Sequence, residues 1–134
     1  MPNSSPFFAV WSPRLLGLLR IVTGLLFLTH GSAKLLGAPH QAMFDNLQLF
    51  SLMGLAGILE LGGGALIVLG LFTRPVAFIL SGMMAVAYFM AHASKAFLPM
   101  LNGGELAVLY CFVFLYFAVA GAGAYGIDSA RAKA

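Results

Sequence analysis

The stretch GILELGGGALIVLG, Gly57 to Gly70, is apolar or glycine at every position except Glu60. An ionised carboxylate in hydrocarbon is costly unless a partner receives it, and ionisable residues inside membranes tend to be functional. Two questions follow: what kind of chain surrounds Glu60, and which residues face it.

Composition answers the first. The 134 residues are 61% hydrophobic and only 8% charged, with a mean hydropathy of +0.98. A water-soluble domain carries about 25% charged residues. With too few polar side chains to cover a globule in water, residues 1–134 read as one integral membrane domain. The net charge of +3 comes from scattered residues, with no basic cluster able to track nucleic acid, so no nucleic-acid partner is expected. The single cysteine, Cys111, forms no intrachain disulfide and reads as an inert packing residue in an apolar run. The N-terminal MPNSSPFFAVWSPRLLGLLRIVTG lacks the early basic region and cleavage site of a signal peptide, so its apolar part is expected to stay as a span.

A helix needs about 20 mostly apolar residues to cross a bilayer. Four stretches qualify, at about 15–36, 49–72, 76–93 and 105–124. The fold expected is an all-α, integral membrane four-helix bundle running up-down-up-down. Thr73 to Pro75 is a tight link, with Pro75 suited to a first helical position. Asn102 followed by Glu105 resembles a capping box for the fourth helix. Met43, Phe44, Leu47 and Phe50 fall at helical spacing in the longer first link, part of which is expected in the membrane interface. Arg14, Arg74, Arg131 and Lys133 lie on one side and Lys34 and Lys95 on the other, which puts both termini in the cytoplasm.

The faces come next. Gly17, Arg20, Gly24, Phe27, Gly31 and Lys34 form one seam of small and polar residues, and Gly57, Glu60, Gly64 and Ile67 form another. Ser81, Ala85, Tyr88 and His92 share a face of the third helix, as do Glu105, Leu109, Phe112 and Tyr116 on the fourth. Turned inward, these faces predict a polar patch of His30, Lys34, His92 and Glu105 open to the outer side, with Glu60 beneath it and Arg20 within reach.

Four blocks carry a resemblance: LRIVTGLLFLTHGSAKLLG (19–37), ELGGGALIVLGLFTRPVA (60–77), AHASKAFLPMLNGGELAVLY (91–110) and GAGAYGID (121–128). In this order they resemble the DoxX family of small four-helix bacterial membrane proteins, over Leu15 to Asp128. The resemblance implies a multi-pass protein of the cytoplasmic (inner) membrane. It also implies a role beside membrane redox chemistry, since the family takes its name from a subunit linked to quinone-dependent thiosulfate oxidation. The pattern maps onto Arg20, His30, Lys34, Glu60, Arg74, His92, Asn102, Glu105 and Asp128, among others.

Two readings of the charged residues stay open. Glu60 with Arg20 is either a proton-carrying or ligand-polarising catalytic pair, or an ion pair fixing helix register. His30, Lys34, His92, Asn102 and Glu105, with Tyr88, Phe112 and Tyr116 to pack a ring, form either a pocket for a quinone-like head or a set that satisfies helix ends. No metal or haem is expected: Lys34 repels a cation from His30, His92 and Glu105, and no soluble-enzyme nucleophile motif, phosphate loop or Cys-x-x-Cys occurs. If the protein is enzymatic at all, it is part of a quinone-linked oxidoreductase. The expected function is thus a subunit or accessory of such a system, in the lipid bilayer, as a homo-oligomer or in complex with redox proteins. The alternatives are a non-catalytic scaffold that docks redox or stress-response partners, and a small-solute transporter.

Overall fold

The computed structural model describes residues 5–134, all helix and connecting loop with no strand among them. The first four residues of the expected uncleaved N-terminal segment lie outside the described residues. The elements are α1 (Pro6–Leu35), a 3-10 turn (Ala42–Phe44), α2 (Leu52–Leu69), α3 (Thr73–Ala91), α4 (Pro99–Asn102), α5 (Glu105–Ala120) and α6 (Ile127–Ala132). α1, α2 and α3 are long and apolar enough to cross a membrane; α5 is a shorter apolar helix of 16 residues.

The helix ends differ from those expected, for local reasons. α1 starts at Pro6 rather than near Leu15, with proline in the first turn where its missing N–H costs nothing. Ser51 caps α2, its Oγ accepting from Gly54 N at 3.1 Å. Gly70 (φ 64°) closes α2 in the left-handed conformation, while Leu71 N donates back to Leu66 O at 3.0 Å. α3 then starts at Thr73, placing Pro75 third rather than first. The capping box expected at Asn102 does not form: Gly104 is the cap residue of α5, without a side-chain cap. Asn102 Oδ1 instead accepts Gly104 N at 2.8 Å, and Glu105 is exposed. α5 stops at Ala120 because Gly121 (φ 84°) turns the chain back, and Ala124 N donates to Pro13 O at 2.8 Å.

α1 packs along α2, and α3 along α5. The α1–α2 seam is glycine against backbone. A Cβ on Gly24 would meet Val68 N at 2.9 Å, and one on Gly64 would meet Leu28 Cα at 3.0 Å. One on Gly31 would overlap the Leu61 backbone, and one on Gly57 would meet the Leu35 side chain at 3.0 Å. These pairings descend along α2 as they ascend along α1, so the two helices pass in opposite directions. Gly31→Ala is therefore expected to destabilise by about 3 kcal/mol, since backbone cannot yield as a side chain can. Gly62 has nothing within 4 Å, so Gly62→Ala gains helix propensity worth about 1 kcal/mol. Thermal unfolding in detergent compares the two; equal midpoints would contradict the seam.

Phe27, Ile67, Leu80, Met84, Tyr110, Phe114 and Phe117 form the core. Phe27 meets Phe114 edge-on at 4.9 Å between centroids and Tyr110 at 5.2 Å, which fixes α1 against α5. Many large apolar side chains outside this core face outward, as a bilayer solvent permits; Phe89 (71%) and Val119 (72%) are examples.

Candidate functional site

The side chain facing Glu60 is Lys34. Its Nζ donates to both carboxylate oxygens, at 2.8 and 2.7 Å, from the last turn of α1. Both side chains are nearly buried, at 9% and 6% exposure. Register explains the pairing. Opposed helices set Gly31 against Leu61 and Gly57 against Lys34, and helical side chains lean toward their own N-terminus, so Lys34 and Glu60 lean toward each other. The pair is net neutral, which lets two charges sit in an apolar wall. Phe44 from the first link caps it, with Lys34 Nζ 5.3 Å from the ring centroid, in a cation–π contact worth about 0.5–2 kcal/mol. Beside Lys34 a cavity of about 260 Å³ opens between the end of α1 and the link, its wall including His40, Gln41, Phe44 and Asp45. His40 Nε2 and Asp45 Oδ1 pair at 2.7 Å on the exposed rim.

Arg20 is not the partner of Glu60. It is fully buried, and its guanidinium donates to four carbonyls: Ala122 O at 2.7 Å, Ile67 O at 2.7 Å, Val68 O at 2.6 Å and Ala124 O at 3.1 Å. Ile67 and Val68 lie in the last turn of α2, where carbonyls run short of intrahelical donors and the helix dipole is negative; Ile67 O also accepts Gly70 N at 3.1 Å. They sit about 10 Å further along α2 than Glu60. Arg20 thus joins α1, the end of α2 and the chain beyond α5.

The expected outer patch separates into parts. Tyr88, His92 and Asn102 come together: Asn102 Nδ2 donates to Tyr88 Oη and to Ala96 O, each at 3.0 Å, and His92 Nδ1 lies 3.1 Å from Asn102 O. With Gly104 packed on the Tyr88 ring, this cluster closes the turn between α3 and α5. His30 is exposed and edge-on to Tyr110 at 6.2 Å. Glu105 is exposed, and Phe112 (63%) and Tyr116 (56%) point outward, so the α5 face expected inward is replaced by Tyr110, Phe114 and Phe117. Among the described residues no group of three or more His, Cys, Asp or Glu is placed to hold a metal ion. Phe44, His40, Gln41 and Asp45 were missed as neighbours of the pair; the apolar spacing around Phe44 was their one sequence signal.

At the other end, Asp128 caps α3 from a distance, accepting Phe72 N at 3.0 Å and Thr73 N at 2.9 Å. Burial works to raise its pKa, but the Thr73 amide and hydroxyl and the Phe72 amide, with Arg131 nearby, outweigh it and hold the carboxyl below the usual range. A carboxyl lowered on folding stabilises fully above its unfolded pKa and loses that contribution as pH falls through the folded one. Wild type should therefore lose about 1 kcal/mol relative to Asp128→Ala below about pH 4 and keep it at neutral pH. Parallel thermal melts of the two proteins across pH check this; a pH-independent difference would contradict it.

The DoxX family model matches residues 15–93, which hold the glycine seam, Arg20, Lys34 and Glu60. An uncharacterized protein of Haemophilus influenzae is 46% identical over 123 residues, covering 89% of this chain and 92% of that relative. No solved structure matches the chain. The match spans both helices of the seam and the relative spans nearly the whole fold, and on that ground this membrane protein belongs to the DoxX family.

Proposed function

We propose that the protein is a subunit or accessory of a quinone-linked membrane redox system, and that it holds the head of a quinone-like molecule at Lys34. The observation that carries this reading is a cavity of about 260 Å³ whose wall holds Lys34 and Phe44, with Glu60 paired to the lysine behind that wall. The volume lies just below the ~300 Å³ at which small-molecule pockets begin, a size suited to a ring whose tail stays in lipid. Lys34, held in place by Glu60, supplies a cationic donor for a carbonyl oxygen, and Phe44 a face to stack on. Met43, Leu49 and Phe50, exposed in the same link, give the tail an apolar surface to run along. A bound quinone supplies the redox chemistry and a partner protein the electrons; this chain binds and orients the head.

The same proposal includes a four-span, up-down-up-down bundle in the bacterial inner membrane. Both termini are then cytoplasmic and the Lys34 cavity faces outward, as the placement of Arg14, Arg74, Arg131 and Lys133 supports. Association with copies of itself or with redox proteins belongs to it as well.

Photolabelling with an azido-quinone in nanodiscs tests the site. Label is expected on residues 33–47, competed by unmodified quinone, and absent in Lys34→Met and in a Lys34→Met/Glu60→Leu double variant that keeps a neutral wall. Label elsewhere, or undiminished in both variants, overturns the reading. Absence of any label, with Glu60→Gln lowering only folded yield, leaves the scaffold in its place.

A further inference from the structure

At the end of α1 opposite Lys34, a recess of about 800 Å³ opens between α1, the start of α3, the 121–124 link and α6. Three cations from three elements reach its wall: Arg14, Arg74 and Lys133. None of them is in an ion pair among the described residues. The carboxylate in the wall, Asp128, is engaged by the Phe72 and Thr73 amides. Thr73 is 1% exposed; its hydroxyl lies near Asp128 but meets no hydrogen-bond partner in proper geometry. The Arg74 guanidinium lies over Gly121, where a Cβ would meet Nε at 3.2 Å, so the missing side chain leaves the guanidinium its place.

Three unpaired cations around one concavity repel each other, and low-dielectric walls focus their potential. A buried hydroxyl with only a poorly aligned neighbour, Asp128, adds to the cost. An anion with several acceptor oxygens relieves both. We propose that this recess binds a phosphate group, with Arg14, Arg74 and Lys133 as its cations and the Thr73 hydroxyl as a further donor. Arginine forks match phosphate oxygens two at a time, and four donor side chains from three elements suit a tetrahedral group better than a planar carboxylate. The phosphate has two sources: the headgroup of an anionic phospholipid, since basic pockets at helix ends take such headgroups, or a free phosphate in solution. The proposal uses none of the residues of the quinone site and stands or falls apart from it.

The test uses the full chain, delipidated in detergent. Native mass spectrometry follows binding of phosphatidylglycerol against phosphatidylcholine, with inorganic phosphate as competitor. Wild type is expected to bind phosphatidylglycerol preferentially, and Arg14→Gln, Arg74→Gln and Lys133→Gln each to weaken binding about fivefold. Lys95→Gln, at the far end of α3, should leave binding unchanged. Displacement by millimolar inorganic phosphate assigns the site to free phosphate; resistance to it assigns the site to the lipid. If the triple variant, monodisperse on size exclusion, binds both probes as wild type does, the recess is no phosphate site.

Discussion

Arg20→Ala is expected to lose about 3–5 kcal/mol of stability, the range seen when one side of a buried charged set is removed. That is a large share of the ~5–15 kcal/mol by which folded proteins exceed their unfolded states, so little monodisperse protein should be recovered. The loss comes from acceptors deprived of a donor: Ile67 and Val68 at the end of α2 and Ala122 and Ala124 beyond α5 all take hydrogen bonds from one guanidinium, and of the four Ile67 keeps Gly70 N. Arg20→Lys keeps the charge but has three donors and no planar fork, so it should fall between wild type and Ala. Thermal melts and yields of the three proteins measure the series. An Arg20→Ala midpoint within a degree or two of wild type would contradict the network.

Glu60→Gln or Lys34→Met alone is expected to cost about 3 kcal/mol, because each leaves a buried charge without its partner. The double variant Lys34→Met/Glu60→Leu should recover most of that, since a neutral, well-packed wall replaces the pair. Coupling of this kind separates the two basic residues of α1. Lys34 and Glu60 should be strongly non-additive, whereas Arg20→Met and Glu60→Gln should add within about 0.5 kcal/mol, as sites without shared partners do. A strong Arg20–Glu60 coupling would restore the pairing first expected from sequence. The double variant, stable yet lacking the ammonium and the carboxylate, also separates fold from function: it should fold and fail to bind a quinone head.

What was legible in the sequence follows from periodicity. The glycines at 17, 24 and 31 and at 57 and 64 mark the α1–α2 seam, and the structure brings Gly24, Gly31, Gly57 and Gly64 into contact there. The partner of Glu60 was not legible from faces alone, because Arg20 and Lys34 share a seam. It needed register: in opposed helices the glycine meeting Glu60 is Gly31, which lies three residues from Lys34 and eleven from Arg20. The outer patch failed for another reason. Spacing assigns residues to a common face but does not orient that face, and on α5 the larger aromatic set Tyr110, Phe114 and Phe117 took the interior. Asp128 and Asn102 satisfy backbone amides with no periodic signal: chain reversals at Gly70 and Gly121 bring Asp128 to the Phe72 and Thr73 amides, and the turn at Gly103 folds Asn102 onto the Gly104 amide.

The Arg20 bonds also impose an order in time. Two of its acceptors lie 102 and 104 residues further along the chain, and at ribosomal speeds of about 5–20 residues per second they emerge some 5–20 s after the arginine itself. Ile67 and Val68 follow it by only 47 and 48 residues, so for the second half of that interval the guanidinium has two of its four acceptors. Newly made, the first helix leaves that group to lipid headgroups or the translocon, and its hydrogen bonds are complete only after Ala124 has followed it out.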